Sequence, residues 1–178
     1  MKFPHSTFHI PHSKKGFTLV ELLLYVGTAS ILLLATSLFF FVLLQSRVKN
    51  QTIAEVEQQG LQVMQSITQT VRNAEAITVP SAGSSTSSLT LDVVTAASDP
   101  TVLHESSGVI RITEGIGSPV ALTNSRVTAS GLTFQNLSRT GTPGTIRIQF
   151  TLTQVNPEGR NEYSFTRTFT GSATLRQP

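Results

Sequence analysis

Between Leu22 and Leu44 the chain runs for 23 residues without a formal charge, and this run constrains what the rest of the chain can become. As a helix it spans about 34 Å, enough to cross a hydrocarbon core of about 30 Å. The remainder is rich in Ser, Thr, Gly and Gln. That contrast separates a membrane segment from a Thr-rich module lying outside it. At 178 residues there is room for one modest domain plus an extended element.

Two ordinary explanations compete for the run. A secretory signal peptide has an apolar region of roughly 7–15 residues followed by a small-residue cleavage site. Here the run is longer and leads into Gln45-Ser46-Arg47-Val48-Lys49, although Ala35, Thr36 and Ser37 supply small residues inside it. A plain signal anchor fits better on topology, because Lys14 and Lys15 ahead of the run hold the N-terminus on the cytoplasmic side. On that view the chain is an unprocessed, signal-anchored extracytoplasmic binding or adhesin module.

A plain anchor does not account for Glu21. It lies five residues into the segment counted from Phe17, and an ionisable group there is expensive and marks a pairing. The string Lys14-Lys15-Gly16-Phe17-Thr18-Leu19-Val20-Glu21-Leu22-Leu23 closely resembles the cleavage and methylation motif of type IV prepilins and type II secretion pseudopilins. The resemblance is strong over roughly residues 14–50 and implies several roles. A membrane aspartyl peptidase, the prepilin peptidase, cuts after Gly16. The same enzyme N-methylates Phe17. Glu21 pairs with the terminal amine of a neighbouring subunit during filament assembly. The chain would thus begin in the cytoplasmic membrane as a single-pass protein, N-terminus inside and soluble domain outside, and then enter a pilus or pseudopilus. Its partners would be the peptidase and other pilin or pseudopilin subunits.

Two departures lean towards a minor subunit. Many major pilins carry a proline midway through this segment, whereas none occurs here between Phe17 and Val79. Gly27, Thr28, Ser30, Thr36 and Ser37 offer close helix contacts instead. The leader, residues 1–16, is also longer than the shortest of the family and rich in His and Pro.

Charge follows the same division. Lys2, Lys14 and Lys15 precede the run, so a cut after Gly16 leaves ten basic against ten acidic side chains, although the whole chain carries +3. A basic nucleic-acid surface is not indicated; only service as a competence pseudopilin would call for one. Cysteine is absent, which removes disulfides and thiolate zinc sites.

Past the membrane segment, 17–44, a continuation of the helix over 45–79 is amphipathic. Ile53, Val56, Gly60, Val63, Met64, Ile67, Val71 and Ala74 recur at spacings of three and four. This predicts a stripe packed on a sheet, with Gly60 allowing close approach or a slight bend. The helix is expected to reach about Ile77, ended by Pro80 and a Ser-rich loop. Residues 80–178 read as an antiparallel β domain. Strands are expected at Leu89–Val94, Val109–Thr113, Pro119–Leu122 and Val127–Leu137. The strongest pattern is a hairpin: Ile146, Ile148, Phe150 and Leu152 alternate with polar residues, then Tyr163, Phe165, Arg167 and Phe169 do likewise beyond Asn156–Arg160. The predicted fold is α+β, a long helix under one antiparallel sheet, and it resembles pilins.

Little in the sequence suggests catalysis. His104-Glu105, expected in a Ser/Gly-rich loop, is the one His beside a carboxylate after residue 16, with no second His to complete a common zinc set. Asp92, Asp99, Glu105 and Glu114 match no calcium-loop spacing. Arg111, Arg126, Arg139, Arg147, Arg160, Arg167 and Arg176 are scattered, which predicts a solvated face. No enzyme activity, cofactor or metal is expected, and the sequence does not choose between secretion, twitching, adhesion and DNA uptake.

Overall fold

The structure, a computed structural model, describes residues 16–176. A single α-helix, α1 (Leu19–Asn73), carries both the apolar run and the amphipathic stretch. The chain divides after Leu44 into two units, which are taken one at a time.

In the first unit every described residue is exposed, including Leu32–Leu34 and Phe39–Phe41. The small polar residues of this helix bond back to its own backbone. Thr28 Oγ1 donates to the Leu24 carbonyl at 3.0 Å, Ser30 Oγ to Val26 at 2.7 Å, and Thr36 Oγ1 to Leu32 at 2.9 Å. Such bonds keep hydroxyls satisfied where no water is at hand. The helix is long and apolar enough to cross a membrane, which suits an anchor.

In the second unit α1 buries Thr52, Val56, Gly60, Val63, Ile67 and Val71, a stripe at spacings of three and four. The expected stripe is thus largely present, with Ile53 and Met64 half-buried and Thr52 added. The stripe enters one core cluster with Leu89, Leu91, Leu103, Ile110, Phe134, Ile146, Ile148, Phe150 and Leu152.

The helix ends earlier than the expected Ile77. Residues 74–79 form β1 (Ala74–Val79), so the β domain starts at Ala74 rather than at residue 80. Ile77, Thr78 and Val79 are β-branched and suit a strand. β1 also finds a full partner in β3 (Ser88–Val93), with Ile77 opposite Leu91. The Arg72 carbonyl in the last turn accepts the backbone N–H of Arg176 at 3.2 Å.

The single sheet expected is also corrected. Among the described residues the strands form two antiparallel sheets. One has the order β1-β3-β4-β5-β6, with β4 (Thr101–Ser106), β5 (Val109–Glu114) and β6 (Val120–Ala121). The other has the order β2-β7-β8-β9, with β2 (Ser85–Thr86), β7 (Val127–Asn136), β8 (Thr145–Gln154) and β9 (Thr166–Thr174). Each sheet has one apolar and one polar face, and both apolar faces contribute to the core containing the α1 stripe. β7 is interrupted between Ser130 and Thr133, where Gly131 adopts a φ of +64°, a conformation that favours glycine. The β8–β9 pair is the predicted one, with Phe150 opposite Phe169. Its connection is longer than expected and includes a short 3₁₀ turn, Asn161–Tyr163, so Tyr163 lies before β9.

Two glycines set how closely α1 approaches β9. The Phe169 ring lies against Gly60, where a Cβ would overlap it, and the Met64 side chain fills the space a Cβ would take at Gly171. Phe169 is also stacked on Phe150 at 5.3 Å. Gly60 therefore serves close approach, one of its two expected roles.

Candidate functional site

The helix begins where Thr18 permits it. The Thr18 carbonyl accepts from the Leu22 N–H at 3.1 Å, and Thr18 Oγ1 accepts from the Glu21 N–H at 3.3 Å. This is an N-cap, and Thr18-x-x-Glu21 has the spacing of a capping box. Glu21 thus occupies the first turn, where the helix dipole favours a carboxylate. The sequence reading missed this local role, although the Thr–Glu spacing was available to show it.

Gly16 and Phe17 precede the helix, and Phe17 is exposed, its ring 5.6 Å from that of Tyr25. A Cβ at Gly16 would meet nothing within 4 Å, so packing gives no reason for glycine there. Lys14 and Lys15, with the rest of the proposed leader up to residue 15, lie outside the described residues. The arrangement places an N-capped carboxylate one turn along from the Gly16–Phe17 bond, ahead of 23 exposed, uncharged residues. Chemically it can hold a cation near the helix start, and it contains no nucleophile–base pair.

The remaining candidates are dispersed. His104 and Glu105 lie on β4 rather than in a loop, His104 opposite Arg111 and Ser88. The loop expectation failed because only the first three residues of β4 alternate clearly, Thr101 and Leu103 buried around Val102, while His104-Glu105-Ser106 carry no apolar residue to extend the pattern. Asp92 is on β3, Asp99 precedes β4 and Glu114 ends β5. Among the described residues no three potential metal ligands gather.

Most of the β-domain arginines are exposed, as expected, and several also have specific partners. Arg126 donates to Glu55 at 3.3 Å, and Arg167 pairs with Glu57; both glutamates are on the polar side of α1. Arg147 donates to Gln135 at 3.4 Å across the sheet. Arg160 donates through Nε to Glu162 at 2.8 Å and lies over the Tyr163 ring. The Glu162 carboxylate accepts its own backbone N–H and bonds to Arg160, both of which hold it below the usual carboxylate range. The Glu55–Arg126 and Glu57–Arg167 pairs join residues far apart in sequence and leave no local signal.

Comparison with family models, with curated proteins and with solved structures finds no match.

Proposed function

We propose that this chain is a prepilin-type subunit, a minor pilin or pseudopilin of a type IV pilus-like or type II secretion filament. The observation that carries the reading is Glu21 in the first turn of α1, four residues after Phe17, followed by an exposed helix without another charge until Arg47. A cut after Gly16 makes Phe17 a cationic terminus, and methylation of its amine keeps the charge. A positive charge at a helix N-terminus opposes the dipole, and a carboxylate in the same turn offsets it. In an assembled filament the Glu21 of one copy would serve the amine of the next. The apolar residues from Leu22 to Leu44 would leave lipid and bury against other helices, with Gly27, which has no side chain, letting a neighbouring helix approach. On this reading the chain is the substrate of a peptidase, held in the cytoplasmic membrane with its β domain outside.

The test is intact mass and N-terminal sequencing of the full chain co-expressed with a prepilin peptidase. The expected product begins at methylated Phe17, and Gly16→Val leaves the chain uncut. A full-length product, or a cut beyond Ala35, overturns the proposal. One observation favours a second reading, the unprocessed anchored module: Glu21 lies in the first turn of α1, where a carboxylate suits the helix dipole without any processing. Glu21→Gln separates the two readings. It keeps the backbone cap and blocks filament incorporation only in the first.

A further inference from the structure

The side of α1 turned away from the β domain carries a seven-residue repeat. Gln51, Gln58 and Gln65 recur at one position, and Ala54, Leu61 and Thr68 recur three residues further on. All are exposed except Thr68, which is half-buried. In a heptad these are the a and d positions, the seam that a second helix covers in a coiled coil. The solvent side of a helix ordinarily carries charge, yet this line has none from Gln51 to Thr68, about 27 Å of helix. The two carboxylates beside it are drawn to the β domain, Glu55 by Arg126 and Glu57 by Arg167. Leu61, 65% exposed, also borders an open groove of about 890 Å³ that Met64, Thr68 and Leu175 help to line, so apolar surface adjoins the seam at its centre.

We infer that this seam pairs with the same seam of a second copy of the chain, parallel and in register. A carboxamide is both donor and acceptor, so identical glutamines facing each other satisfy one another, which a row of identical charges does not. In register Leu61 meets Leu61, and the flanks bring Glu55 opposite Asn50 and Glu57 opposite Gln62 of the second copy, with no like charges facing. Arg47 and Arg72 close the line at its two ends, where their long side chains turn to water. The parallel direction follows from copies inserted the same way in one membrane, and in this respect the inference rests on the membrane-anchored reading. Glutamine at each a position makes the seam weaker than an apolar zipper, so it forms where a shared membrane concentrates the copies.

The test uses the full chain in phospholipid vesicles. The sequence has no cysteine, so an introduced thiol reports on one place. Ala54→Cys and Gln65→Cys, on either side of Leu61, should cross-link through a short bis-maleimide at least about tenfold faster than Thr170→Cys, exposed on β9. Adding Leu61→Glu sets like charges against each other and should slow the seam cross-link at least about tenfold. The β-domain melt should stay unchanged, because Leu61 is exposed. Mixing Leu61→Glu chains with Leu61→Lys chains should restore the cross-link between the two, which identifies the occupant as a second copy. Equal rates at the three thiols, seam cross-linking that Leu61→Glu leaves unchanged, or no recovery in the mixture overturns the inference. If the seam fails while a co-expressed prepilin peptidase still cuts after Gly16, the prepilin reading stands without it. Seam cross-linking in a chain that stays uncut keeps the pairing and removes that reading. A chain that does not float with the vesicles removes the anchor and the parallel pairing together.

Discussion

Gly60→Ala tests the packing of α1 on β9, because two physical effects at that position oppose each other. On an isolated helix the change is favourable by about 1 kcal/mol, since glycine is the poorer helix former. In this fold a Cβ at residue 60 would overlap the end of the Phe169 ring, which is buried and stacked on Phe150 at 5.3 Å. Moving the ring costs about 1–3 kcal/mol as overpacking, and loosening the aromatic pair adds up to about 1 kcal/mol. The net is a loss of up to about 3 kcal/mol, a melting temperature lower by as much as roughly 9 °C. Thermal unfolding of the full chain in a mild detergent, followed by circular dichroism, measures it. In a Phe169→Ala background the obstacle is gone and the same substitution should stabilise by about 1 kcal/mol. A Gly60→Ala chain that melts above the parent, or an equal effect in the two backgrounds, would show that Phe169 does not occupy the Gly60 surface.

Ile67→Ala, in the middle of the buried stripe, should cost about 2–5 kcal/mol, whereas Leu61→Ala, at 65% exposure, should stay within about 0.5 kcal/mol; equal urea midpoints for the two would contradict the placement of the stripe. Thr18→Ala removes the N-cap and should weaken the first turn by about 1 kcal/mol, read as faster amide exchange at Glu21 and Leu22 with the β-domain melt unchanged. Because the folded carboxyl of Glu162 is held below its ordinary range by its own N–H and by Arg160, the stability it contributes is full above that ordinary range. It is lost as the pH falls through the lowered folded value. Glu162→Gln should flatten the acid side of the stability curve in that window, and an unchanged acid slope in urea titrations would remove Glu162 as its source.

Much of this organisation was legible in residue order because it depends on short-range periodicity. A membrane-length apolar run is a matter of length and charge, the α1 stripe of a 3.6-residue period, and β8 of strict alternation from Ile146 to Leu152, so each could be read without knowing its neighbours. The candidate motif at Gly16, Phe17 and Glu21 is legible in the same way, being contiguous, and its Thr18 cap is visible in the spacing once helix starts are considered. Where the helix stops is different. Ala74-Glu75-Ala76 by propensity suits a helix better than a strand, and the ladder offered by β3 makes it β1. The division into two sheets, the pairing of Glu55 with Arg126 and of Glu57 with Arg167, and the fit of Phe169 to Gly60 share that character. Each joins residues more than 60 positions apart, or depends on which strands become neighbours. Local propensity and periodicity carry no information about such contacts, which arise only when the apolar faces come together to exclude water.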